Sequence, residues 1–147
     1  MFAVTLTGLF VAAFLAATPI PFQSEIVFLA LQATGSHSLV SLVVVASVGN
    51  TLGSCLTYAA GRGLGGDRLL RLARLTPDQA ERARAWFARW GVWSLLLSWA
   101  PAGDLIVLMS GVLRTPFTLF LALVAVAKTL RYIALAAGAA GVMQLIG

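Results

Sequence analysis

Charged residues are scarce in this sequence. Only 10% of the 147 residues are charged and 60% are hydrophobic, whereas soluble domains carry about a quarter charged residues. Within residues 1–61 the only charge is Glu25, and within residues 90–113 the only charge is Asp104. This scarcity excludes an ordinary water-soluble fold. We expect lipid or other protein around both stretches.

Cysteine and histidine each occur once, as Cys55 and His37. A single cysteine cannot form an intramolecular disulfide or a cysteine metal cluster. The sequence also lacks a paired serine and histidine at matching depth and any metal-ligand spacing. We therefore expect no enzyme, no catalytic residues, no cofactor and no metal site.

Basic residues are concentrated in residues 62–90. This segment holds seven of the ten basic residues and three acidic ones, a net charge of 7 − 3 = +4. Such an excess favours a cytoplasmic location. Thr76 and Pro77 have the pattern of a helix start, and the arginines interleaved with Trp86 and Trp90 suit an amphipathic helix at the membrane surface. Nucleic-acid binding is not expected, because it would require a solvent-facing patch on a soluble domain.

Prolines break the first apolar segment. Pro19 and Pro21 remove two backbone donors and disfavour helix at the residues before them. The next apolar piece, residues 24–33, covers only about 15 Å at ~1.5 Å per residue, half of the hydrocarbon thickness. We predict a re-entrant helical hairpin over residues 2–33, followed by a transmembrane helix over residues 39–60.

The same order recurs in the second half. Pro101 and Gly103 break a second predicted hairpin over residues 91–112, and a transmembrane helix is predicted over residues 116–141. Because the basic segment lies between the halves, the hairpins would enter from opposite sides, which is an inverted repeat. We therefore predict an all-α integral membrane protein with a single membrane domain. Its parts are a first repeat at 1–61, a cytoplasmic amphipathic segment at 62–90 and a second repeat at 91–142.

Glu25 and Asp104 occupy matching places at the start of the second arm of each hairpin. A helix start favours negative charge. A carboxylate held in a low-dielectric medium must nevertheless find a cation or take up a proton. One reading is that each carboxylate is a structural N-cap. The matched placement favours the other reading, a proton-coupling role.

Lys128, Arg131 and Tyr132 share one face of the last helix. Lys128 lies about a dozen residues from the helix start, near the bilayer centre and too deep for easy snorkelling. One alternative is an ion pair of these cations with Glu25 or Asp104 that holds the bundle together. The other is binding of an anionic headgroup, for which the planar guanidinium of arginine is the better phosphate ligand.

A row of small residues follows the first transmembrane helix at four-residue spacing. Small residues allow another helix to approach closely, either in this chain or in a neighbouring subunit, so homo-oligomerisation stays open. Asn50 lies beside this row. It either supports the site or only joins helices. The row consists of Gly49, Gly53, Thr57 and Gly61.

Four motifs lie in order along nearly the whole chain and are fairly specific together. They are Pro19-Ile20-Pro21-Phe22-Gln23-Ser24-Glu25, Gly49-Asn50-Thr51-Leu52-Gly53, Leu97-Ser98-Trp99-Ala100-Pro101-Ala102-Gly103-Asp104 and Lys128-Thr129-Leu130-Arg131-Tyr132. With these motifs the sequence resembles the DedA family, also called the SNARE-associated or VTT superfamily, and most closely its short YqaA-like branch.

The resemblance implies two opposed re-entrant hairpins and movement of lipids linked to protons or to the membrane potential. It also implies that the acidic and basic membrane residues are functional. Larger members are similar to flippases of polyprenyl-phosphate carriers or phospholipids. Those members carry an arginine-rich motif in the second hairpin, where this chain has Ser98, Pro101, Gly103 and Asp104. The anion-binding role would therefore fall to Lys128 and Arg131.

The resulting hypothesis is a multi-pass inner-membrane transporter, a proton-linked flippase or scramblase of an anionic lipid or lipid-carrier phosphate. Its partners would be membrane lipids and protons. The alternative is a non-transporting membrane scaffold that uses the ion pairs for assembly. The residues assigned are Glu25 and Asp104 for proton coupling, Lys128, Arg131 and Asn50 for the anion, and Pro21, Pro101, Gly103 and Tyr132 as supporting residues.

Overall fold

A computed structural model of the chain describes residues 5–18, 24–35, 37–64, 76–97 and 103–146. The described residues form helices and turns, with no β-strand among them, so the predicted all-α class is confirmed. The helices are α1 (Leu6–Ala16), α2 (Ser24–Thr34), α3 (Leu39–Leu64), α4 (Pro77–Trp90), a 3₁₀ helix (Gly91–Leu97), α5 (Gly103–Val112) and α6 (Phe117–Ile146).

Two of these helices have the length and composition of membrane spans. The apolar parts Leu39–Gly63 of α3 and Phe117–Val142 of α6 contain 25 and 26 residues, and about 20 residues suffice to cross the hydrocarbon core. One face of α3 exposes a ridge of large apolar residues, as a face turned to lipid would. We call it the apolar ridge; it consists of Val40, Val44, Val48, Leu52 and Leu56.

α3 continues four residues beyond its predicted end at residue 60, as far as Leu64. Gly61 lies against the backbone of α5, where a side chain would collide with the carbonyl oxygen of Leu108. This glycine therefore serves close packing inside the helix and does not end it. In the same turn, Arg62 Nη1 donates to the hydroxyl of Tyr58 over 3.0 Å.

α1 runs parallel to α3. Asn50 Nδ2 donates to the carbonyl of Ala13 over 2.8 Å, and Thr57 Oγ1 donates to the carbonyl of Ala17 over 2.6 Å. Residue numbers thus rise together along the two helices. The bonds also satisfy carbonyls at the C-terminal end of α1, which have no partner within their own helix.

α3 and α6 run antiparallel. Tyr58, near the end of α3, stacks on Phe120, near the start of α6, with ring centroids 4.4 Å apart. Leu42, near the start of α3, belongs to the same buried cluster as Tyr132 and Ala136 of α6. Two clusters of apolar side chains therefore hold the helix pair, one toward each end.

α4 begins where the sequence predicts. The hydroxyl of Thr76 accepts from the N–H of Gln79, and the side chain of Gln79 accepts from the N–H of Thr76, which is a complete capping box. Phe87 is buried against the rest of the protein, whereas Trp86 and Trp90 stay exposed. Exposed tryptophans beside arginines suit a helix at a membrane interface.

The segment of the second predicted hairpin contains the 3₁₀ helix and α5, so its first arm is wound more tightly than an α-helix. α5 ends in a turn in which Arg114 has a positive φ of 58°. In the same turn the N–H of Thr115 donates to the backbone carbonyl of Ser110 over 3.0 Å. α5 ends at Val112, the predicted last residue of this segment, and Gly111 lies against the backbone of Tyr58. Close packing again explains the glycine.

Candidate functional site

The centre of the candidate site is an ion pair between α2 and α6. Arg131 Nη2 donates to the carboxylate of Glu25, 106 residues away in sequence. The side chains are 32% and 28% exposed, respectively. This pair is one of the alternatives that the sequence left open for the two residues. The Glu25 carboxylate is bound by a residue of α6, so its role goes beyond capping the start of α2.

Three further side chains on α2 support this ion pair. The hydroxyls of Ser24 and Tyr132 are hydrogen-bonded over 2.7 Å, and the rings of Phe28 and Tyr132 lie 5.5 Å apart. One turn further along α2, Gln32 Nε2 donates to the carbonyl of Ala136 over 3.0 Å. Polar and aromatic contacts therefore join α2 to α6 over more than two turns.

Ser24 and Gln32 were missed at the sequence level. A signal was present, because residues 24, 28 and 32 follow at four-residue spacing and share one face of α2. A serine and a glutamine that flank an aromatic residue on such a face, inside an apolar segment, indicate a helix–helix contact.

Lys128 lies deep inside the protein. Its exposed fraction is 1%, and it stands 11 residues after Phe117 and 14 before Val142 in the apolar part of α6. At ~1.5 Å per residue these separations are about 16 Å and 21 Å. An amine so far from both helix ends does not reach the water boundary by extending its side chain.

Asn50 lies at the depth of Lys128. From the stacked pair Tyr58 and Phe120, Asn50 is 58 − 50 = 8 residues back along α3 and Lys128 is 128 − 120 = 8 residues forward along α6. The amide of Asn50 donates to Ala13 of α1, however, rather than to a charged residue of α6. Of its two predicted roles, the described contact fits the joining of helices.

A cavity of about 380 Å³ opens beside Arg131. This volume lies within the range of small-molecule sites. Its described lining is apolar apart from Arg131, and such a lining accommodates an anionic group that carries apolar substituents. The lining residues are Leu96, Leu130, Arg131 and Ala134.

Each acidic residue is the second residue of a short helix. α2 begins with Ser24 and Glu25, and α5 begins with Gly103 and Asp104. The side chain of Asp104 lies outside the described part of the structure, and so do Pro21 and Pro101. Among the described residues, no three His, Cys, Asp or Glu side chains come close enough together to hold a metal ion.

Comparison with known proteins adds independent information. A family model described as the VTT domain matches residues 1–140. The chain is 38% identical to "Inner membrane protein YqaA" of Escherichia coli over 137 residues, which cover 92% of this chain and 91% of the relative. The Shigella flexneri protein of the same name gives the same values.

A third relative is an uncharacterized protein of Haemophilus influenzae. It is 34% identical over 141 residues, which cover 89% of this chain and 85% of the relative. No solved structure matches the chain. The family match spans both halves of the chain, including the ion pair between α2 and α6. The chain therefore belongs to the VTT-domain family, the DedA family of membrane proteins.

Proposed function

We propose that this protein is a multi-pass inner-membrane transporter that moves an anionic lipid or a lipid-carrier phosphate in a proton-linked reaction. The observation that carries the proposal is the Glu25–Arg131 pair beside a cavity with apolar walls. Arg131 stands 142 − 131 = 11 residues inside the apolar part of α6. Ionisable residues at such depth mark substrate and proton pathways in membrane proteins.

The link to protons follows from competition for Arg131. While Glu25 is ionised, its carboxylate holds the guanidinium. Protonation of Glu25 removes that negative charge, and Arg131 can then donate to a phosphate, for which its planar fork is well suited. Asp104 starts α5 as Glu25 starts α2, and we extend the proton-exchange role to it. Lys128 adds positive charge at neighbouring depth.

A re-entrant first hairpin is part of the proposal. α1 runs parallel to α3, and α3 starts five residues after α2 ends. The chain must therefore run along α2 in the opposite direction to α1, back to the side where α3 begins. Ala17, which follows the last residue of α1, lies beside Thr57, and Thr57 is 64 − 57 = 7 residues before the last residue of α3. α1 thus stops about 10 Å short of that end of α3.

An inverted repeat is also part of the proposal. α3 packs against α1 of its own half and α5 of the other half, whereas α6 packs against the 3₁₀ helix of its own half and α2 of the other. Exchanging the two halves maps each pair onto its counterpart. The antiparallel course of α3 and α6 fits halves inserted in opposite directions.

The test is lipid movement in proteoliposomes, measured with fluorescent phospholipids and polyprenyl phosphates, with and without a pH gradient. Acidity on the side that Glu25 faces should accelerate movement, because protonation frees Arg131. Glu25→Gln should lose the pH dependence, and Lys128→Ala should slow movement about tenfold or more, since a lost charge-assisted hydrogen bond is worth roughly 1.5–3 kcal/mol. Wild-type rates and pH dependence in both variants would refute the proposal.

A non-transporting scaffold is the second candidate, and a specific observation favours it. The hydrogen bonds of Ser24 and Gln32 fasten the same helices as the ion pair, as expected of a purely structural joint. For a scaffold, Glu25→Gln would lower the folded yield without changing lipid movement per folded molecule. Glu81→Gln in α4 is the control for both candidates, because it removes an exposed carboxylate.

A further inference from the structure

Two tryptophans of α4 are exposed, although the phenylalanine between them in sequence is buried. Trp86 and Trp90 are 40% and 49% exposed, whereas Phe87 is 7% exposed. The two indole rings lie 5.7 Å apart and are tilted against each other by 43°. Exposed apolar surface that is rimmed by polar residues marks a place where a protein contacts another molecule or a membrane.

Phe87 sets the depth of α4 in the membrane. It belongs to a buried cluster that includes Tyr58 of α3 and Phe120 of α6. Tyr58 is 63 − 58 = 5 residues before the end of the apolar part of α3, and Phe120 is 120 − 117 = 3 residues after the start of that of α6. At ~1.5 Å per residue these positions are about 7.5 Å and 4.5 Å inside the two spans. α4 therefore lies near the boundary between hydrocarbon and headgroups, where tryptophan is enriched.

The side chains of α4 are sorted around the helix by their chemistry. At 3.6 residues per turn, Trp90 and Trp86 lie about 60° and 100° from Phe87 on one flank, and Arg82 lies about 40° further round on the same flank. Glu81 lies on the opposite flank, about 120° from Phe87. Arg82 and Glu81 are both exposed. With Phe87 against the bundle and the tryptophans toward the hydrocarbon, Arg82 lies at the level of the headgroups and Glu81 in water.

Arg82 offers a guanidinium to a phosphate group. Among the described residues, none forms an ion pair with its side chain. Arg89 is engaged, because its guanidinium carbon lies 5.4 Å from the ring centroid of Trp90. Arg82 precedes Trp86 by four residues, so the two side chains are neighbours on the helix and can contact one lipid molecule. The planar guanidinium can donate two hydrogen bonds to the phosphate, and the indole suits the layer between headgroup and acyl chain.

We propose that Arg82, Trp86 and Trp90 form a binding site for an anionic phospholipid of the cytoplasmic leaflet. The lipid phosphate accepts hydrogen bonds from Arg82, and the indoles pack against the glycerol end of the acyl chains. The leaflet follows from the net charge of 7 − 3 = +4 in residues 62–90, which contain α4. Anionic lipids attract basic segments of this kind. None of the described residues that line the cavity beside Arg131 belongs to α4, so the site does not rest on the proposed function.

The experiment is quenching of tryptophan fluorescence by lipids that are brominated near the headgroup end of their acyl chains. A Trp93→Phe, Trp99→Phe protein, which keeps only Trp86 and Trp90, is placed in liposomes of phosphatidylcholine. Increasing amounts of brominated phosphatidylglycerol, or of brominated phosphatidylcholine, then replace the plain lipid. Phosphatidylglycerol should occupy the positions beside the tryptophans with about fivefold preference, the effect of one basic residue at an anionic surface. The wild-type protein should show the same preference, diluted by its other two tryptophans.

Arg82 should account for this preference. Arg82→Gln should lower it to less than about twofold, whereas Arg82→Lys should keep most of it because the charge remains. Arg84→Gln is the matched control, since it removes an exposed charge from the flank of Glu81. The preference should stay near about fivefold in that variant.

Equal quenching by the two brominated lipids would overturn the proposal, and so would a preference that Arg82→Gln leaves unchanged. Quenching by neither lipid would place this side of α4 in water or against another protein, and would overturn it as well. The comparison of lipids is also made within the wild-type protein, so failure of a variant to fold does not affect it. A clear preference in a protein that moves no lipid would refute the proposed function and leave this site standing.

Discussion

The Glu25–Arg131 pair is intermediate between a surface ion pair and a fully buried one, because about a third of each side chain is exposed. An exposed pair is worth less than about 1 kcal/mol. Loss of one partner of a buried pair costs roughly 3–5 kcal/mol, because the other charge is left uncompensated. At the residue scale this pair can therefore hold α2 against α6 and still be opened by a competing anion.

Removing either charge should destabilise the protein by about 1–2 kcal/mol, below the cost for a fully buried pair because of the partial exposure. The measurement is reversible unfolding of Glu25→Gln and Arg131→Gln in detergent, followed by tryptophan fluorescence. The double variant should lose less unfolding free energy than the two single variants lose together, because it leaves no uncompensated charge. Strictly additive losses would show that the two groups are not energetically coupled.

Sequence patterns located the charged residues of the site because each stands alone in an apolar run. The partner of each charge was not predictable in the same way. Glu25 could have bound Lys128 or Arg131, and the packing of α2 against α6 decides for Arg131. Asn50 could have faced those charges, but its amide donates to α1. The choice depends on helix rotation, which a sequence constrains only weakly.

At the scale of elements, glycines of α3 allow the short helices to approach it closely, because a glycine has no side chain. A Cβ atom added at Gly49 would lie 2.7 Å from the carbonyl oxygen of Phe10, and one at Gly53 would lie closer still to that of Phe14. α5 approaches the other end of α3 in the same manner, at Gly61. The row of small residues identified in the sequence is therefore used within the chain.

Gly53→Ala should destabilise the protein by roughly 1–3 kcal/mol, because the added methyl group forces α1 away from α3. The matched control is Gly138→Ala in α6, where a Cβ meets no atom within 4 Å. That change should be neutral or stabilise by up to about 1 kcal/mol through helix propensity. Melting temperatures in detergent measure both. Equal melting temperatures for Gly53→Ala and the wild type would contradict the tight α1–α3 contact.

The capping box of α4 gives a second prediction at this scale. Thr76→Ala removes the hydroxyl that accepts from Gln79 and should cost about 1 kcal/mol of local helix stability. Faster hydrogen exchange of the first-turn amides of α4 would register the loss, with the amides of α3 as an internal reference. Unchanged exchange in that turn would contradict the cap.

Element boundaries were predictable wherever local chemistry sets them. The cap of α4 is read directly from Thr76 and Pro77. One glycine was misread, since Gly61 follows the predicted helix end at residue 60 but lies inside α3, close to α5. A glycine permits both a chain reversal and a close approach. Only the position of the neighbouring helix distinguishes the two.

At the scale of the whole molecule, the antiparallel course of α3 and α6 fixes which ends share a side of the membrane. The end of α6 lies on the side where α3 begins, and the basic segment follows the other end of α3. With that segment in the cytoplasm, the C-terminal end of α6 faces outward.

This topology can be tested by single cysteines in a Cys55→Ser background. A membrane-impermeant maleimide should label Leu145→Cys from outside the cell and Ala85→Cys of α4 only after the cytoplasmic face is opened. Both positions are exposed in the protein. Leu52→Cys, in the middle of the apolar ridge, should react from neither side, because the reactive thiolate needs water. Labelling of the first two positions from the same side would contradict the arrangement.

Lipid movement in two matched variants shows whether an arginine inside the membrane handles a phosphate-bearing lipid. Arg131→Gln and Arg89→Gln remove the same charge, one from the site and one from the exposed face of α4. We expect the rate of lipid movement to fall about tenfold or more in Arg131→Gln and to change little in Arg89→Gln. Equal rates per folded molecule in the two variants would contradict it.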